Sequence, residues 1–166
     1  MILPVLQYPD PRLKRVALPV AEITPDLRSL AGDMAETMYA RDGIGLAAPQ
    51  VGVSLRLVVL DLSGPQARED LVTLVNPVVF PLGPETESDE GCLSVPDFRA
   101  LVSRPGRIRV EALDLDGNPV RFEAEGALAV CVQHECDHLE GTLFIDRISR
   151  LKRGMYDRRM RKKEKP

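Results

Sequence analysis

A chain of 166 residues, 44% hydrophobic and 28% charged, has the length and apolar content of one globular domain with a sizeable core, which excludes a wholly disordered polypeptide. Three cysteines, an odd number, argue against a disulfide framework and for a reducing compartment, so a cytoplasmic location is expected. The net charge of −3 hides an asymmetry: residues 150–166 carry nine Lys and Arg against Asp157 and Glu164, which leaves 13 basic and 23 acidic residues in the rest of the chain.

The opening residues, Met1-Ile2-Leu3-Pro4-Val5-Leu6-Gln7-Tyr8, have no basic region ahead of a long apolar run and meet a proline early, so neither a secretory signal nor a membrane span is expected there. Thr24-Pro25-Asp26 reads as a helix N-cap followed by proline in the first turn. Leu27, Leu30, Met34 and Met38 then keep helical spacing as a core stripe until Asp42-Gly43 ends the helix. Gly43-Ile44-Gly45-Leu46-Ala47-Ala48-Pro49-Gln50 is a glycine-rich loop, but it lacks the third glycine and the preceding strand of a dinucleotide fingerprint. The apolar runs 56–60 and 71–75 read as buried strands. Cys92 then appears inside Glu90-Gly91-Cys92-Leu93-Ser94, with a glycine beside it that allows close backbone approach. Residues 107–112 and 120–124 alternate in polarity around Asp116-Gly117-Asn118 and form a β-hairpin. From Gly126 to His138 the pattern is helical, ending near Gly141.

Both histidines of the chain fall in the pentapeptide His134-Glu135-Cys136-Asp137-His138. On a helix, positions 134 and 138 lie one turn apart on one face, so two imidazoles can close on one metal ion. Glu135 lies near enough to take a proton from water held by that ion without being a ligand. The third ligand separates the possible chemistries. In metzincin proteases the pattern extends to H-E-x-x-H-x-x-G-x-x-H; Gly141 fits the glycine, but Phe144 stands where the last histidine would be. After Gly141 the acids are Asp146, Asp157 and Glu164, the last two in the basic tail. A thiolate is the other option. Cys131 lies about 7.5 Å along the helix axis from the midpoint of the histidine pair and Cys136 projects from the opposite side, which leaves Cys92.

These three segments, 43–50, 90–94 and 133–138, taken in order, resemble the motifs of peptide deformylases of the bacterial type 1 class. The likeness runs from the opening residues, including Tyr8-Pro9-Asp10-Pro11, to about Ile148. The resemblance implies removal of the N-formyl group from the initiator methionine of new polypeptides, with release of formate. It implies an α+β fold in which mostly antiparallel strands surround a central helix carrying H-E-x-x-H, with a C-terminal helix outside. Residues 1–148 would then be the catalytic domain and 149–166 a basic helical tail.

The resemblance also implies roles for residues. Cys92, His134 and His138 hold one divalent ion, with iron(II) expected and zinc, nickel or cobalt able to replace it. Glu135 is the general base and acid, while the Gln50 side-chain amide and the Leu93 backbone N–H stabilise the developing oxyanion. Ile44, Val130 and Cys131 surround the methionine side chain, and Gly45 and Gly91 offer backbone groups to an extended peptide. Arg99 is placed either to reach that peptide or to pair with an acid. Relatives often have an apolar residue at the middle position of Glu87-Ser88-Asp89, so pocket shape is open at Ser88. The expected partners are N-formylmethionyl peptides and, through the basic tail 150–166, the ribosome; no membrane or DNA partner is expected. Two other readings are an endopeptidase using the same helix and a non-catalytic metal-stabilised module. The missing third histidine counts against the first. Glu135 counts against the second, because a structural site closes with four protein ligands and needs no adjacent base.

Overall fold

The computed structural model describes residues 1–164; Lys165 and Pro166, the last two residues of the basic tail, lie outside them. The first long helix, α1 (Pro25–Ala40), begins as its sequence dictates. The Thr24 hydroxyl accepts the Leu27 N–H at 3.2 Å, Pro25 occupies the first turn, and Asp26 faces the positive end of the helix dipole. Its inner stripe is core: Met34 and Met38 are fully buried and pack with Leu46, Leu57 and Val59.

The described residues form seven strands: β1 (Gly45–Ala47), β2 (Leu57–Leu60), β3 (Val72–Pro81), β4 (Glu85–Cys92), β5 (Val95–Pro105), β6 (Arg107–Leu113) and β7 (Pro119–Glu125). A one-turn helix, α2 (Gly64–Ala67), links β2 to β3. Five strands form one sheet in the order β1-β2-β3-β6-β7, and β4 and β5 form a separate two-stranded sheet; every pairing is antiparallel. The expected hairpin is present as β6 and β7 with Val110 opposite Phe122. The strand expected at 71–75 extends to Pro81, past an irregularity at Asn76, which adopts φ 53°. There the Asn76 amide accepts the Val20 N–H at 2.8 Å and donates to the Val20 carbonyl at 2.9 Å, so the side chain pairs with the incoming loop as a strand would.

The helix carrying the histidines, α3 (Gly126–Leu139), packs across β1, β2, β3 and β7 and also meets β5 of the smaller sheet. That makes it the central element of an α+β fold. Ala129, Val132 and Leu139 face Val58, Leu60, Leu74 and Val110 in a continuous apolar cluster. Beyond α3 the chain reverses at Gly141, where φ is +72° and a side-chain carbon would lie 2.3 Å from the Lys14 carbonyl oxygen. Only glycine fits that approach. The last helix, α4 (Arg150–Glu164), lies outside and inserts the fully buried Tyr156 into a third apolar cluster with Val95, Val102, Phe144 and Ile145. Among the described residues, no helix is long and apolar enough to cross a membrane.

Candidate metal centre

The sulfur of Cys92 and a ring nitrogen of each of His134 and His138 lie within 4.8 Å of one another, with both histidines buried. Two structural elements bring them together. One turn of α3 sets the histidines on the same face, and the end of β4 delivers Cys92 Sγ to 3.4 Å from His138 Nε2. Cys131 and Cys136 stay outside the cluster, as helix geometry requires. Asp146 and Asp157 are engaged elsewhere: Asp146 accepts the Leu143 N–H and pairs with Arg153, and Asp157 accepts the Tyr8 hydroxyl. Phe144 contributes no ligand; its ring lies 6.1 Å from that of His134.

Behind the histidines lies a buried ionic network that sequence reasoning did not assign. His134 Nδ1 is 3.0 Å from Glu90 Oε1, so the carboxylate fixes the ring orientation and leaves Nε2 facing the cluster. Arg104, 2% exposed, grips Glu90 with two hydrogen bonds of 2.7 and 2.9 Å and donates a third, 2.9 Å, to Asp137. Arg147 closes the outer side of Asp137 with a bidentate pair at 2.6 and 2.7 Å. Burial alone would raise the pKa of Glu90, but donors from His134, Arg104 and Ser88 outweigh it and hold the carboxyl down to about 2. The signal for Arg104 was available: on β5 it continues the inward series Ala100, Val102, 104, where a lone charge demands a buried partner.

Glu135 is 3% exposed, and its Oε1 lies 3.9 Å from His134 Nε2. Burial pushes its pKa up to about 7, and Oε2 has no hydrogen-bond partner among the described residues. A carboxyl so placed can exchange a proton near neutral pH. β1 makes room for it: a side-chain carbon at Gly45 would sit 2.9 Å from Glu135 Oε1 and 3.0 Å from Cys131 Sγ. Gln50 is buried in the short 3₁₀ turn Ala48–Val51. Its Oε1 accepts the Ala47 N–H at 2.9 Å, which turns Nε2 toward Ser94 Oγ at 3.1 Å and Cys92 Sγ at 3.6 Å. The amide nitrogen therefore points as a donor at the cluster.

Gln50, Glu90, Cys92, His134 and Glu135 open onto a cleft of about 950 Å³ whose lining also includes Ile44, Gly45, Ser88, Gly91, Leu93, Arg99, Val130 and Cys131. Ile44 stands 44% exposed at the edge, while Val130 and the buried Cys131 form the α3 wall. Leu93 follows Cys92 in the β4–β5 turn, and Gly91 pairs with Arg99 across that hairpin. Arg99 pairs with an acid: its guanidinium bonds the Asp89 carboxylate at 3.3 Å and the Asp89 carbonyl at 3.0 Å. Ser88, where the sequence left pocket shape open, lines the cleft and donates to Glu90 Oε2 at 2.6 Å, so its hydroxyl supplements the network.

Comparison with known proteins decides the family. The model of polypeptide deformylases matches residues 2–154. The chain belongs to the polypeptide deformylase family. A peptide deformylase of Alkalilimnicola ehrlichii is 54% identical over 161 residues, covering 97% of this chain and 90% of that protein. One from Acinetobacter baumannii is 52% identical over 153 residues, covering 92% and 86%. The crystal structure of a peptide deformylase from Legionella pneumophila superposes with a TM-score of 0.92 at 43% identity, covering all of both chains. That of Ehrlichia chaffeensis, in complex with actinonin, gives 0.91 at 38% identity over 99% of each. As a deformylase the chain is a metal-dependent hydrolase, and Cys92, His134 and His138 fit a divalent ion in donor type, number and spacing. The endopeptidase and purely structural readings fall away.

Proposed function

We propose that this chain removes the formyl group from the N-terminal methionine of new polypeptides with Glu135 as proton carrier and Gln50 and Leu93 as oxyanion donors, at an ion held by Cys92, His134 and His138. Glu135 and Gln50 both line one cleft beside the Cys-His-His group, with Glu135 Oε1 3.9 Å from His134 Nε2 and Gln50 Nε2 3.6 Å from Cys92 Sγ, and that arrangement supports the assignment. A divalent ion at that position supplies Lewis acidity, lowering the pKa of water to about 7. The thiolate and imidazole donors suit iron(II), our proposed occupant, and equally accept zinc, nickel or cobalt.

The protein's own groups do the rest. Glu135 takes a proton from the attacking water as the water oxygen bonds to the formyl carbon. Negative charge then grows on the formyl oxygen, where the Gln50 amide and the Leu93 N–H donate. Glu135 returns the proton to the methionine nitrogen, the C–N bond breaks, and formate and the free amine leave. Ile44, Val130 and Cys131 would seat the methionine side chain, and the Gly45 and Gly91 backbone would flank the extended peptide. Arg99, tied to Asp89, would border that path.

Residues 1–148 are proposed as the catalytic domain. The basic tail from residue 150 onward, rich in Lys and Arg on an acidic body, is proposed to meet ribosomal RNA in the cytoplasm. Co-sedimentation with ribosomes that survives deletion of residues 150–166 would reject that partner.

The test of the reaction is formate release from N-formyl-Met-Ala-Ser by anaerobically prepared protein with its metal quantified, beside Glu135→Ala. The expected result is activity that falls about 100-fold or more in Glu135→Ala while metal is retained. No formate from fully metallated wild-type protein refutes the assignment.

A further inference from the structure

Phe98 has two faces to serve. It lines the cleft, and its ring lies 4.8 Å from that of Tyr156 on α4. Tyr156 is fully buried, although its hydroxyl finds no hydrogen-bond partner among the described residues, so the ring is what this position supplies to the cluster. One turn further along α4, the exposed Arg159 donates to the Asp97 carbonyl at 3.0 Å and lies 5.8 Å from the centre of the Phe98 ring. Asp97 itself adopts φ 59°, a left-handed conformation uncommon for a non-glycine residue but one that Asp tolerates better than most. A second tie runs from the same helix toward the site: Asp157 accepts the Tyr8 hydroxyl at 2.6 Å, and the Tyr8 N–H donates to the Ser94 carbonyl at 2.7 Å.

We infer that α4 is the buttress of the cleft's rim at Asp97–Arg99, and that Tyr156 and Arg159 are positioning residues that set affinity for the peptide residues after methionine. The inference rests on the proposed deformylase reading, in which an extended peptide runs beside Gly91. Arg99 is the residue paired with Gly91 across the β4–β5 hairpin, so the segment 97–99 flanks the chain once it has passed the reacting carbonyl. A rim made by a two-stranded hairpin has little support of its own, since an isolated pair of strands is marginal in water. Here the outer face of that rim is held by an aromatic ring and a guanidinium delivered from the C-terminal helix. Loss of either leaves the reacting groups on β4 and α3 in place but lets the rim move. The cost therefore falls on binding of downstream residues, not on the chemical step.

The experiment compares two substrates, N-formyl-Met-Ala-Ser and N-formylmethionine amide, with metallated wild type, Arg159→Ala, Tyr156→Ala and Tyr156→Phe. For Arg159→Ala and Tyr156→Ala, KM for the tripeptide is expected to rise about three- to tenfold with kcat within about twofold. For the one-residue amide, kcat/KM is expected to change less than about twofold in the same variants. Tyr156→Phe is expected to match wild type. Should Tyr156→Ala fail to fold, Arg159→Ala, which alters an exposed side chain, decides the matter. Equal losses on both substrates, or an Arg159→Ala protein unchanged on the tripeptide, overturn the inference while leaving the deformylase assignment intact. Absence of formate from both substrates with wild type overturns that assignment and this inference with it.

Discussion

Replacing Arg104 by Met removes the centre of the ionic network behind the histidines. The guanidinium makes two hydrogen bonds to Glu90 and one to Asp137, all between 2.7 and 2.9 Å, and it is 2% exposed. Methionine fills much of the same volume but leaves the Glu90 carboxylate, 4% exposed, with only Ser88 and His134 as partners. Breaking a buried pair in this way costs about 3–5 kcal/mol, because one charge stays behind without compensation. For a chain of this length that corresponds to a fall in Tm of roughly 6–20 °C. Glu90 also orients His134, so metal affinity should weaken about 10–100-fold. Thermal unfolding followed by circular dichroism, with and without chelator, gives the first number, and competition with a coloured chelator gives the second. The double variant Glu90→Gln/Arg104→Met should recover part of the stability, since no charge is then buried alone. A Tm within about 3 °C of wild type, with metal affinity unchanged, would refute the reasoning.

Gln50→Glu keeps an oxygen for the Ala47 N–H but deletes the donor aimed at the cluster; kcat for formate release should fall about 100–1000-fold with the fold intact, and a loss under about tenfold would remove Gln50 from the oxyanion site. Asp61 is fully buried, which would raise its pKa, yet hydrogen bonds from Ser63 and Tyr39 outweigh burial and hold it below the ordinary carboxylate value. Its stabilisation is therefore present above the unfolded-state pKa of about 3.9 and disappears as pH falls through that value and then through the lower folded one. In urea titrations of chelator-treated protein, Asp61→Asn should be less stable than wild type at pH 5, with the gap narrowing toward pH 3; a gap independent of pH would show that the carboxylate's ionisation does not matter.

The parts of the site that were legible in the sequence are those fixed by local geometry. Helical spacing put His134 and His138 on one face and excluded Cys131 and Cys136, and the Thr24 cap and the Leu27–Met38 stripe marked α1 because each signal lies within a few residues. The β4–β5 hairpin was not read as strands. Glu85-Thr-Glu-Ser-Asp-Glu carries no alternation of apolar side chains, since β4 borders the cleft and its buried Glu90 is satisfied by Arg104 and Ser88. The Arg104–Glu90–His134 link joins residues 14 and 44 positions apart and is invisible to any periodic pattern. For Arg99 the sequence left two partners open, and the structure shows the guanidinium against Asp89 on the adjacent strand.

Gly141 completes the first eight positions of a metzincin-like pattern, H-E-x-x-H-x-x-G, and would draw anyone matching patterns toward proteolysis. Its job is unrelated. The space a side chain would need is occupied by the backbone of Lys14, from the far end of the polypeptide, next to the point where the Ala17 N–H bonds the Leu139 carbonyl. A library of substitutions scored by activity would show a gap at 141 as deep as at the histidines, yet the lost variants would be proteins whose first twenty residues no longer close over the end of the central helix. Intolerance to change at this position measures a collision between two stretches of main chain, and the same letter in two hydrolase signatures records two different demands.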